Sequence, residues 1–132
     1  MKMHRALVRP LLAAAPIVAV LGVAAGSAAA KDGDVKVSGR CSAGSVWKLK
    51  AGARDRGLET EFQVDSNVAG QVWSVRLTDN GTQVFSGQRT TTAPSGAFSV
   101  ERTIRNQTGT DTIVATASNA ATGETCRGSL AV

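Results

Sequence analysis

Gly57-Leu-Glu-Thr-Glu-Phe-Gln-Val-Asp65 decides the fold. Leu58, Phe62 and Val64 fall on one side of a period of two, and Glu59, Glu61, Gln63 and Asp65 on the other. Successive side chains of a strand point to opposite faces, so this is a strand with one face in a core and one in water. Upstream, Trp47, Leu49 and Ala51 alternate with Val46, Lys48 and Lys50. Downstream, Trp73, Val75 and Leu77 alternate with Ser74, Arg76 and Thr78. Asn80-Gly81 then marks a hairpin, because a type I′ turn needs positive φ at both central residues. A short strand over Gln83 to Ser86 follows it. Phe98, Val100 and Ile104 predict another strand, in which Arg102 breaks the apolar side and suggests a bulge. Ile113, Ala115 and Ala117, then Cys126, Gly128, Leu130 and Val132, predict the last two.

These are about seven short strands separated by turns, with no helical period. That count in a chain of this size predicts an all-β fold, an immunoglobulin-like antiparallel β-sandwich of about seven strands. Trp73 on the third strand sits where such sandwiches place a core tryptophan. The cysteines depart from the antibody pattern, since they fall near the first and last strands, so a true immunoglobulin domain is not implied.

Residues 1 to 30 have the three parts of a secretory signal peptide. Lys2, Arg5 and Arg9 open it, an apolar stretch runs from Leu11 to about Ala25, and Ser27-Ala28-Ala29-Ala30 supplies small residues. Cleavage is expected after Ala30, with release outside the cell. The stretch is shorter than the ~20 apolar residues that span a bilayer, and Pro16 interrupts it, which argues against a membrane anchor. The organisation expected is a leader over 1–30, a flexible lead-in over 31–39 and the sandwich over 40–132. Without the leader, 12 basic residues face 10 acidic ones. The basic balance of the whole chain, +5, therefore gives little reason to expect nucleic acid as a partner.

Cys41 and Cys126 are the only cysteines. In an oxidising compartment an even count in a small domain reads as a disulfide, the alternatives being free thiols or a bridge between chains. The only histidine, His4, leaves with the leader. Histidine-based catalytic triads and imidazole metal sites leave with it. No catalytic residue, metal site or cofactor is expected. Asp32-Gly33-Asp34 has too few ligands for calcium. Glu59, Glu61 and Asp65 lie at strand spacing on an outward face, where charged residues are commonly just solvated.

Lys48, Lys50, Arg54 and Arg56 are the surface candidates for contact with an anionic wall polymer or an acidic protein. Lysines guarding an exposed strand edge are the simpler account. The Arg89 to Gly96 loop and the Asn119 to Gly123 turn are further candidate surfaces, because loops on a rigid scaffold carry function.

The run Cys41-Ser-Ala-Gly-Ser-Val-Trp47-Lys-Leu-Lys50 resembles a group of small, secreted, functionally uncharacterised immunoglobulin-like β-sandwich proteins of high-GC Gram-positive bacteria. Glu61-Phe-Gln-Val-Asp65, Gly70-Gln-Val-Trp73, Ala93-Pro-Ser-Gly96 and Gly123-Glu-Thr-Cys126 carry the same resemblance. It implies the fold and the bridge, and no activity. The functional expectation is a monomeric, non-enzymatic extracellular binding module whose partner is a protein or a wall polymer. A small inhibitor of a secreted hydrolase and a carrier of a small apolar ligand are the alternatives.

Overall fold

A computed structural model describes residues 33–132; the expected leader and its cleavage site lie outside the described residues. Eight antiparallel strands form two four-stranded sheets: β1 (Asp34–Arg40), β2 (Val46–Arg54), β3 (Gly57–Asp65), β4 (Val72–Asp79), β5 (Thr82–Thr90), β6 (Ala97–Ile104), β7 (Thr112–Ser118) and β8 (Thr125–Ala131). The strand orders are β1-β2-β3-β6 and β5-β4-β7-β8. The layering is that of an immunoglobulin-like sandwich, whereas here the second and third strands are neighbours within one sheet.

Each strand buries the side the alternation assigns to it. Leu58, Thr60, Phe62 and Val64 of β3 face Trp73, Val75 and Leu77 of β4 across the core, with Ile113, Ala115 and Val100 beside them. Phe98 joins the sheets, its ring centroid 6.5 Å from that of Phe62 and 6.2 Å from that of Trp73. The Asn80-Gly81 turn has φ of 49° and 85°, the two positive values its sequence demands.

Three expectations need correction. Residues 34–40 are no flexible lead-in: β1 pairs along its whole length with β2, from Asp34 opposite Gly52 to Arg40 opposite Val46. Its Val35 and Val37 are only half-buried, as suits an edge strand, which is why the stretch reads as polar. The short fifth strand extends to Thr90. Arg102 makes no bulge, since β6 stays in register with β3 throughout; the irregularity lies between Leu77 and Thr78, against β5. Arg102 instead places its guanidinium 4.5 Å from the centre of the Phe85 ring, and Arg89 places its own at 5.0 Å. Phe85 ends up buried although it sits on an edge strand. The cations cap the side of the sandwich where β5 meets β6.

The opposite side, where β1 meets β8, is closed differently. Cys41 and Cys126 form a disulfide across 85 residues of sequence, which ties the end of β1 to the last strand. Closing a loop of that length removes chain entropy worth about 4.5 kcal/mol as an upper figure. Next to it the Trp47 indole lies against Gly39 of β1 and Gly128 of β8. A methyl group on either glycine would come within 2.7 Å or 2.5 Å of the ring. Only a residue without Cβ leaves room for the indole on both sides.

Gly128→Ala is expected to cost about 1–3 kcal/mol, the range for overpacking a filled core. Gly128→Ala combined with Trp47→Leu should cost clearly less than the sum of the two single changes. Urea unfolding of the four proteins measures this, and strict additivity would mean that the indole and the glycine do not compete for space.

Candidate interaction surface

Glu124 is a buried carboxylate that organises the loop carrying Cys41. It follows the Asn119–Gly123 turn and points inward just ahead of β8. Its Oε2 accepts the amides of Ala43 at 3.0 Å and Ser45 at 2.9 Å, and its Oε1 accepts the Ser45 hydroxyl at 2.7 Å. Burial pushes the carboxyl pKa up, but the three donors outweigh it and hold it below the ordinary 4.5. Ser45 thus gives both its amide and its hydroxyl to this one carboxylate. The turn itself is pinned by Asn119, whose Oδ1 accepts the amides of Ala121 at 3.0 Å and Thr122 at 3.3 Å.

The second candidate loop is held as firmly. Thr91 is buried; its hydroxyl donates to the Val68 carbonyl at 2.6 Å and accepts the Gln71 amide at 2.9 Å. Backbone bonds from Gly70 to Thr91, from Thr91 to Gln71 and from Ser66 to Gly96 join it to the loop over residues 66–71. They leave Val68 and Val72 at 51% and 49% exposure.

The outward faces of the two sheets differ chemically. On β1-β2-β3-β6 the cross-strand rows read Lys36–Lys50–Glu61–Glu101 and Ser38–Lys48–Gln63–Ser99. Positive strands lie beside negative ones, so Lys50 and Glu61 face each other as opposite charges. Of the sequence-derived contacts, Lys48 and Lys50 share this face with Lys36. Arg54 does not join them, because it is held by Asp34 in two bonds of 2.9 and 3.2 Å and approaches Glu59 at 3.4 Å. That bonding holds the Asp34 carboxyl below its usual range. Arg56 lies exposed in the turn after β2. Asp65 spends Oδ1 on the Asn67 amide, Glu59 lies near Arg54, and Glu61 stands between Lys50 and Glu101 in its row.

On β5-β4-β7-β8 the rows read Gln88–Ser74–Ser118–Thr125, then Ser86–Arg76–Thr116–Arg127, then Gln83–Thr78–Val114–Ser129. No aspartate or glutamate occurs among them. The first two rows line a shallow hollow of about 570 Å³. Through Ser74 and Gln88 it runs on into a second depression bounded by Gly70, Val72, Ala120 and Ala121. One surface thus joins the sheet face to the Asn119–Gly123 turn and to Gly70 and Gln71, in the loop that Thr91 holds. Sequence reading overlooked Arg76 and Arg127 because each stands alone on its strand, and only the pairing of β4, β7 and β8 brings them into one row. Comparison of the chain with protein-family models, with curated proteins and with solved structures finds no match in any of the three.

Glu124→Gln, which keeps the shape but turns one acceptor into a donor facing amides, is expected to destabilise by about 2 kcal/mol. In a domain of this size that lowers the melting temperature by about 10 °C. Because folding lowers the Glu124 pKa, its contribution is fully present above pH 4.5 and is lost as the pH falls through the lowered value. Between pH 5 and about pH 3 the gap between wild type and variant should therefore narrow in denaturant titrations. A gap constant over that range would place the stabilising role elsewhere.

Proposed function

We propose that the protein is a secreted, non-enzymatic binding module that meets its partner through the outward face of the β5-β4-β7-β8 sheet. One observation carries the reading: this face is free of carboxylates, hollow, and continuous with two loops fixed by Asn119 and Thr91. The leader-like residues 1–30 and the disulfide support export, since such bonds persist in oxidising compartments. The resemblance to small secreted sandwich proteins points the same way. A carrier of an apolar molecule would need space between the sheets, and Trp73, Phe62, Leu49 and Leu77 occupy it.

A second reading, an inhibitor of a secreted hydrolase, draws on the braced loop over residues 91–96, which Thr91 and Ser66 hold without a local disulfide. Loss of protease or amylase activity on adding the protein, abolished by Thr91→Val, would favour it over the sheet face.

The binding reading is tested with Ser118→Glu, which puts a carboxylate at an exposed outward position lining the hollow, at the end of β7. The variant should melt within about 2 °C of the parent, as surface substitutions commonly do. Its retention on wall and medium fractions of the producing cells should fall at least about 10-fold, because a like or unpaired charge in an interface is costly. Equal retention would move the site off this sheet. Mass spectrometry of the released protein is expected to give a chain beginning at Lys31 and lacking two hydrogens.

A further inference from the structure

We infer that the ligand of this face is an anionic glycan, a polyhydroxylated chain bearing carboxylate or phosphate groups, held by Arg76 and Arg127; the inference rests on the binding function proposed above. Arg76 and Arg127 flank Thr116 in one row, on the strands to either side of β7. Two strand spacings place their backbones about 10 Å apart. Arg76 donates Nε to Gln83 at 3.0 Å, which orients the guanidinium and leaves its terminal amino groups facing solvent. Arg127 is exposed and has no acid in its row or in the two adjoining rows.

Around the two cations the row neighbours are hydroxyls and amides: Ser74, Ser86, Gln88, Ser118 and Thr125. Each hydroxyl donates and accepts, so the face matches a chain of alcohols more closely than an apolar protein surface. Protein interfaces are built around buried aromatic or aliphatic anchors; the two rows around the cations offer none, and the aliphatic residues of this face, Val72 and Val114, lie outside those rows. Neutral sugars are commonly gripped by stacking on an exposed ring. All five aromatic residues, Trp47, Phe62, Trp73, Phe85 and Phe98, are buried here. Attraction has to come from charge and hydrogen bonds, which selects an anionic chain over a neutral one. The carboxylate-free surroundings remove the repulsion such a chain would otherwise meet. The mixed face of the other sheet presents Glu61 and Glu101 in the same row as its lysines and lacks that property.

The test uses the purified full mature chain and polygalacturonate as the probe, with uncharged dextran and polyglutamate as comparisons. Binding followed by calorimetry should be seen for polygalacturonate, weaken as salt rises, and be absent for dextran. Arg76→Gln with Arg127→Gln should weaken it at least about 10-fold, as expected for losing two charge-assisted contacts. Lys48→Gln with Lys50→Gln should change it less than about twofold, because those lysines project from the other sheet. Equal loss in both double variants, or equal binding of polyglutamate, would overturn the inference by reducing it to general charge attraction. No binding of polygalacturonate would also overturn it. In that case the Ser118→Glu retention experiment still decides whether the face binds something else.

Discussion

The closure of the sandwich where β1 meets β8 is the constraint on which the rest depends. The two strands belong to different sheets and are not paired in a ladder, although the Ser42 amide just after β1 donates to the Thr125 carbonyl at the start of β8. The Cys41–Cys126 bond joins them covalently, and the Trp47 indole does so by filling the gap between Gly39 and Gly128. Glu124 adds a third link, drawing the loop of residues 41–45 down onto the start of β8. The three fall within a few residues of one another along both strands. A domain with only five aromatic side chains has a thin core, and concentrating covalent, steric and polar ties at one seam offsets that thinness. The other seam is joined by the chain itself and by the Thr92–Ala97 bridge between the ends of β5 and β6. There, Phe85 is covered by the guanidinium groups of Arg89 and Arg102, which keep their charge in water while their planes shield the ring.

This asymmetry has a consequence for the outward faces. Since the seams hold the sheets together, neither outer face needs to contribute to stability, and each is free to be specified by its surroundings. The β1-β2-β3-β6 face places lysines beside glutamates, an arrangement that keeps an exposed sheet soluble and averse to pairing with other strands. The opposite face has hydroxyls, amides and two arginines with no compensating acid. If solubility were the only requirement, mixed charge would have served both. The difference between the faces of one small domain is what the proposed binding role rests on.

Much of this was legible in the chain. The period of two from Gly57 to Asp65 and from Trp73 to Thr78 gave the inward residues one by one, because a half-buried strand imposes that alternation locally. The Asn80-Gly81 turn was legible for the same reason: its backbone requirement is met by the residues themselves. What was not legible depends on partners far away in sequence. β1 looks like a polar lead-in because its valines are half-covered, and their cover comes from strands distant in the chain. Glu124 looks like a turn residue, and its partners lie 79 and 81 residues earlier. Arg102 looks like an interruption of an apolar face until Phe85 from the other sheet is placed beneath it.

The surface candidates divide along the same line. Lys48, Lys50, Arg54 and Arg56 are close in sequence, and closeness made them look like a patch. Folding disperses them: Arg54 is drawn to Asp34 and Glu59, and the lysines are set opposite Glu61 and Gln63. Arg76 and Arg127 are 51 positions apart in the sequence, and folding sets them two strands apart in one row. In an antiparallel sandwich a strand offers only every second residue to a face, so no single strand supplies more than a few residues to a surface. A binding surface on such a sheet is assembled across strands, one residue from each. The informative pattern is therefore the cross-strand row: the row of Lys36 and Lys50 also holds Glu61 and Glu101, whereas the row of Arg76 and Arg127 holds no anion.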